Sequence, residues 1–212
     1  LGLQSYARLA WSYGLDGQVS RGLGLAESVR KKAIELDLRD IEDHAFIISQ
    51  VIMFEYRVVN EPEKVMEELK RIIKTNLDFF TVWIANRSMA YIYFLQEEYD
   101  NCLKYMRESL QISRKYGWHQ FRGAWNLEMM YGMERAGYTL PGDAFEDELE
   151  YLTNGANLYI RGVAHRYRAL LRFNSGESDL AALQPDIDAS IAYLTESAND
   201  GPELVKVGIL QA

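Results

Sequence analysis

From Met89 to Ser113 the chain reads MAYIYFLQEEYDNCLKYMRESLQIS, and its apolar and polar positions recur with a helical period. Ala90 is followed by Tyr93 and Phe94, and Tyr99 by Cys102, Met106, Ser109 and Leu110. Steps of three and four put each set on one face of a helix. The QEEYD segment between them is short and polar, so the pattern predicts two helices folded back on each other through a tight turn. Ala90 is small where those helices cross, and a bulky side chain there would cost about 1–3 kcal/mol through overpacking.

The same unit recurs. LAWSYGLDGQVSRGLGLAESV carries Ala10 and Tyr13, a turn at Gly17, then Gly22 and Ala26. IMFEYRVVNEPEKVMEELKRII carries Tyr56, a turn at Asn60 with Pro62 opening the next helix, then Val65, Leu69 and Ile72. Further turns fall at Gly137 and Gly176, the latter after Ala169. Turn positions 17, 60, 97, 137 and 176 are 43, 37, 40 and 39 residues apart. A two-helix unit repeated about every 40 residues predicts a solenoid, in which each hairpin buries its apolar face against the next. Pro141 and Gly142 mark one irregular turn. Pro185 predicts a second irregular stretch over Ser175–Asp188, with a helix following from about Asp186 to Ser197.

Ala90, Tyr93, Tyr99, Cys102, Met106 and Ser109 resemble the signature of the tetratricopeptide repeat family, and Leu9, Ala10, Tyr13, Gly22 and Ala26 resemble it in the first unit. The pattern is degenerate elsewhere: Met53 and Met130 stand at the small-residue position, and Arg172 at an aromatic one. The resemblance covers nearly the whole chain. It implies an all-α fold, a right-handed superhelical solenoid of stacked antiparallel helix pairs. Residues 1–212 form one domain of about five hairpins, with a partial sixth from Pro202. Lengthened, irregular repeats of this kind look like those of large bacterial signalling and transcription regulators, where the array adjoins an ATPase and a DNA-binding or cyclase module. The first residue, Leu1, and the uncapped last helix fit a piece of such a longer protein.

Composition narrows the function classes. The 212 residues are 48% hydrophobic and 25% charged, ordinary for a globular domain with a continuous core. A net charge of −8 argues against general affinity for nucleic acid or anionic membrane. No apolar run approaches the roughly 18–20 residues of a membrane span. One cysteine, Cys102, cannot pair internally, which points to a reducing, cytoplasmic setting.

Candidate chemistry is sparse. GLDGQVSRGLGL lacks the Gly-Lys-Ser/Thr ending of a phosphate loop, so Gly22 and Gly24 read as small residues at helix contacts. His44, His119 and His165 stand far apart, no metal site or cofactor is expected, and Cys102 lies at a core position. The acidic run Asp143–Glu150 reads as a solvated face opposite Phe145, Leu149 and Leu152. Arg161, His165, Arg168 and Arg172 share one helix face and are candidates for binding an anion, against the plainer reading that carboxylates nearby neutralise them.

In the tetratricopeptide pattern the first helices line the concave side. The resemblance therefore implies a partner groove with Trp11, Gln50, Phe54, Arg57, Arg87, Tyr91, Phe94, Leu127, Tyr131, Arg166 and Leu170, a mixture of Arg and aromatic residues suited to recognition. The expected function is a non-catalytic module that binds a protein or peptide segment, including another domain of its parent, or senses an effector. The alternatives are a helical-repeat domain that binds a small molecule, one that binds nucleic acid through Arg161, Arg166, Arg168 and Arg172, or part of an enzyme.

Overall fold

The computed structural model describes residues 2–116, 124–138, 145–155, 157–177, 179–197 and 207. Every regular element among them is helical: α1 (Leu3–Leu15), α2 (Val19–Glu35), α3 (Arg39–Phe54), α4 (Pro62–Thr75), α5 (Phe79–Leu95), α6 (Tyr99–Tyr116), α7 (Ala124–Arg135), α8 (Phe145–Thr153), α9 (Leu158–Asn174) and α10 (Leu180–Glu196). The partial helix expected from Pro202, the irregular turn at Pro141 and Gly142, and His119 lie outside the described residues.

Helix ends set the spacing. α1, α3, α5, α7 and α9 each close on a residue in the left-handed region: Gly17 (φ 77°), Arg57 (φ 56°), Glu97 (φ 60°), Gly137 (φ 84°) and Gly176 (φ 101°). Positions 17, 57, 97, 137 and 176 are 40, 40, 40 and 39 residues apart. Each end makes the same pair of backbone bonds. In α1 the Gly17 N–H donates to the Gly14 carbonyl and the Gln18 N–H to the Tyr13 carbonyl; in α5 the Glu97 and Glu98 N–H groups serve Phe94 and Tyr93. This arrangement satisfies carbonyls that a helix end would otherwise leave bare. The turn expected at Asn60 is thus centred three residues earlier, on Arg57, which takes a conformation usually left to glycine. With that register Gln50, forty residues after Ala10 and forty before Ala90, stands where the resemblance placed Met53.

The odd-numbered helices stack in chain order, α1 on α3, α3 on α5, α5 on α7 and α7 on α9. The even-numbered ones pack at their flanks: α2 against α1 and α3, α4 and α6 against α5, α8 and α10 against α9. α5 has neighbours on all sides, and it is buried almost continuously from Phe80 to Ile92. Small residues mark the close crossings. A Cβ on Gly22 would lie 2.7 Å from the Ala10 carbonyl oxygen, and one on Gly162 would lie 2.7 Å from Leu194 Cγ. Gly24 differs from expectation: it is exposed, and a Cβ there would meet no atom within 4 Å.

Side-chain caps start several helices. Asp78 accepts from the Phe80 and Thr81 N–H groups, Asn157 from Ile160 and Asp179 from Ala181. The loop expected around Pro185 is instead helical, since α10 runs unbroken from Leu180 to Glu196. Pro185 falls in its second turn and removes one backbone bond, while Leu183, Asp186, Ile187 and Ser190 bury that face against α9. Tertiary packing there outweighs the local penalty.

Candidate binding face

The inner row of α3, α5, α7 and α9 gathers most of the residues expected to line a groove, but it is closed. Phe54, Tyr91 and Leu127 are fully buried, and Trp11, Arg87 and Arg166 nearly so. The rings pack on one another, Phe54 against Tyr91 and Trp125 at 5.2 and 5.6 Å between centroids, and Tyr91 against Trp125 at 5.2 Å. Phe94, Tyr131 and Leu170 remain half-buried and Arg57 exposed. Gln50 lies apart from this row, in a cleft between α2, α3 and α4.

The closure has identifiable partners. Arg57, just past α3, donates from Nε to Glu128 Oε2 of α7 at 2.8 Å. Glu55 Oε2 accepts from the Ala124 N–H at the start of α7 at 3.0 Å, and from the Tyr159 hydroxyl of α9 at 3.4 Å. The end of α3 therefore reaches across α5 to two later hairpins. Arg87 donates to Asn126 Oδ1 at 3.0 Å and lies over the Trp83 ring, while Arg166 lies over Tyr167. The Tyr91 hydroxyl, close to the Arg57–Glu128 pair, and the Nδ2 group of Asn126 are buried without a hydrogen-bond partner among the described residues. Burial, with the Glu128 carboxylate beside it, raises the Tyr91 pKa despite the opposing charge of Arg57.

Three members of the basic stripe on α9 meet a carboxylate of α10. Asp186 Oδ1 accepts from Arg168 Nε at 2.8 Å and bonds His165 Nδ1 at 2.8 Å, and Arg172 Nη1 lies 3.7 Å from Oδ2. Arg161 donates to the Tyr193 hydroxyl and to the Thr153 carbonyl. Burial alone would raise the Asp186 pKa, but the bonds from His165 and Arg168 outweigh it and hold the carboxyl at about 2. Asp186 thus serves His165, Arg168 and Arg172 from within the fold, while most side chains of the Asp143–Glu150 run lie outside the described residues. Arg166 turns to the opposite, buried face, so Arg161, Arg166, Arg168 and Arg172 do not form one surface.

A second polar network joins α3, α4 and α5, and periodicity does not reveal it. Asp43, buried, accepts from Arg71 and from Asn76 Nδ2 at 3.0 Å. Asn76 in turn accepts from the Asp78 N–H. His44 Nδ1 lies 2.9 Å from Thr81 Oγ1, which donates to Asp78 Oδ2 at 2.6 Å. His, Thr and Asp suggest nucleophile chemistry, but the single hydroxyl proton goes to Asp78 and the imidazole N–H donates to the hydroxyl. This wiring fixes the cap of α5 and does not activate Thr81. Burial, opposed by Asp78 and aided by Arg8, lowers the His44 pKa to about 4. Cys102 is buried too, and burial pushes its thiol up to about 12. Among the described residues, no group of three or more His, Cys, Asp or Glu is placed to hold a metal ion, and no helix is long and apolar enough to cross a membrane. The chain matches no protein-family model, no curated protein and no solved structure.

Proposed function

We propose that this chain is a tetratricopeptide-like superhelical array that recognises a protein or peptide segment through its inner row and acts as a regulatory module of a larger, bacterial, cytoplasmic regulator. The repeat reading is supported by the left-handed turn residues about 40 apart and by the stacking of odd-numbered helices in chain order. The observation that carries the binding reading is the inner row itself. Aromatic rings and polar groups from four hairpins converge there, and among the described residues the buried Tyr91 hydroxyl and Asn126 Nδ2 have no hydrogen-bond partner, while Arg57, Phe94 and Tyr131 stay partly open to solvent. Buried polar atoms left unpaired are uncommon and costly, and an incoming segment that supplied their partners would recover that cost. In this account the partner competes for the Arg57–Glu128 pair and changes how the array packs against its output domain.

Photo-crosslinking tests the proposal. A benzoyl-phenylalanine at Tyr131 should capture a defined partner from the native cell that the same group at Gln184, on the outer side of α10, does not. Equal capture at both positions, or none at Tyr131, would remove the inner row as the recognition face.

A further inference from the structure

Two clefts in the fold are one feature at successive repeats. The first, of about 380 Å³, is lined by α1 and α2; the second, of about 410 Å³, lies between α3 and α4. Adding 40 to each lining residue of the first gives a lining residue of the second: Tyr6 becomes Phe46, Leu9 Ser49, Tyr13 Met53, Arg21 Glu61, Gly24 Lys64, Leu25 Val65 and Ser28 Glu68. The second cleft holds one residue from outside its own hairpin, Leu23 of α2. Seven residues on, two turns along the same face of α2, Arg30 lies over the Phe46 ring at 5.4 Å and 3.8 Å from Glu42. α2 is therefore seated on the second hairpin by a leucine in the cleft and a guanidinium on the ring that borders it.

The first cleft is lined at the equivalent positions, and among the described residues only α1 and α2 line it. Leu9 is 40% exposed there, whereas Met89 and Met129, its counterparts 80 and 120 residues on, are 0% exposed. Tyr6, which stands where Phe46 receives Arg30, is 39% exposed. Resting on the repeat reading above, we propose that the α1–α2 cleft docks an amphipathic helix of a partner protein that carries a leucine and, seven residues later, an arginine. The leucine enters between Leu9, Tyr13 and Leu25, and the arginine lies on the Tyr6 ring in the manner of Arg30 on Phe46.

The probe is a side-chain-bridged, helix-stabilised peptide with the α2 sequence Val19–Glu35, which holds the required residues, labelled and titrated against the intact chain by fluorescence anisotropy. Saturable binding is expected, weakened at least tenfold by Leu23→Asp in the peptide, and equally by Leu9→Asp or the cleft-filling Gly24→Leu in the chain. Circular dichroism and thermal melting of both chain variants establish that they fold. Undiminished binding to folded Leu9→Asp, or no binding to the wild-type chain, overturns the proposal. Sedimentation velocity that shows dimers abolished by Leu9→Asp would also overturn it, in favour of a second copy on this face. A chain that ignores the peptide but retains capture at Tyr131 loses the cleft alone; failure of both readouts removes the inner row as the recognition face as well.

Discussion

Gly22 and Gly24 stand two residues apart in one helix and should respond to the same substitution with opposite signs. At Gly22 a new Cβ would lie 2.7 Å from the Ala10 carbonyl oxygen, 3.1 Å from Ile52 Cδ1 and 3.2 Å from the Gly14 nitrogen. Two of those neighbours are backbone, so relief requires α2 to move away from α1. Overpacking of this kind costs about 1–3 kcal/mol. Alanine returns about 1 kcal/mol through helix propensity, which leaves Gly22→Ala destabilising by up to about 2 kcal/mol. At Gly24 nothing lies within 4 Å of the new atom, so Gly24→Ala keeps the propensity gain and stabilises by up to about 1 kcal/mol. Urea unfolding followed by circular dichroism measures both. For a chain of this size each kcal/mol moves Tm by about 2–4 °C, so the two variants should melt on opposite sides of the wild type. Equal shifts, or a stabilised Gly22→Ala, would refute the close crossing of α1 and α2.

Three further perturbations follow from the polar networks and turns. His44 binds its proton less readily folded, at about 4, than unfolded, near 6.5. Its contribution is therefore intact above about pH 6.5 and lost as pH falls toward 4, a change of about 3 kcal/mol that His44→Gln should remove from the stability–pH curve; an unchanged slope in that window would refute it. Asp186→Asn leaves His165 and Arg168 without their carboxylate, and should destabilise by about 2–3 kcal/mol because Arg168 is partly solvated; a loss below about 0.5 kcal/mol in urea titrations would show the pair to be idle. Glu97→Gly relieves a left-handed non-glycine residue and should stabilise by about 1 kcal/mol, whereas a destabilised variant would contradict the φ of 60°.

Where glycine marked the turn, at Gly17, Gly137 and Gly176, the sequence placed it correctly; where Arg57 took the left-handed position, the reading slipped to Asn60 and misassigned the small residue of the second unit. The all-helical class and the core stripes of α6 and α8 follow from periodicity, which depends only on near neighbours along the chain. Burial of the inner row does not. Tyr91 is enclosed because Glu55 meets Ala124 and Tyr159, 69 and 104 residues away, and no local pattern encodes such contacts. The basic stripe of α9 was visible as a stripe, but its partner sits beside Pro185, in a stretch whose local signals argued against a helix. The matching clefts follow the 40-residue register that Gly17 and Arg57 set.

Cysteine crosslinking tests directly whether α3 reaches across α5 to α7 along a closed inner row. In the double variant Arg57→Cys, Glu128→Cys, the native Cys102 is shielded by burial, and a short bismaleimide should join residues 57 and 128 within the monomer. Mass spectrometry of the digested monomer band should find that linked peptide pair as the main product. If the two cysteines are modified but remain unlinked, or link only between molecules, the hairpins do not stack as described here.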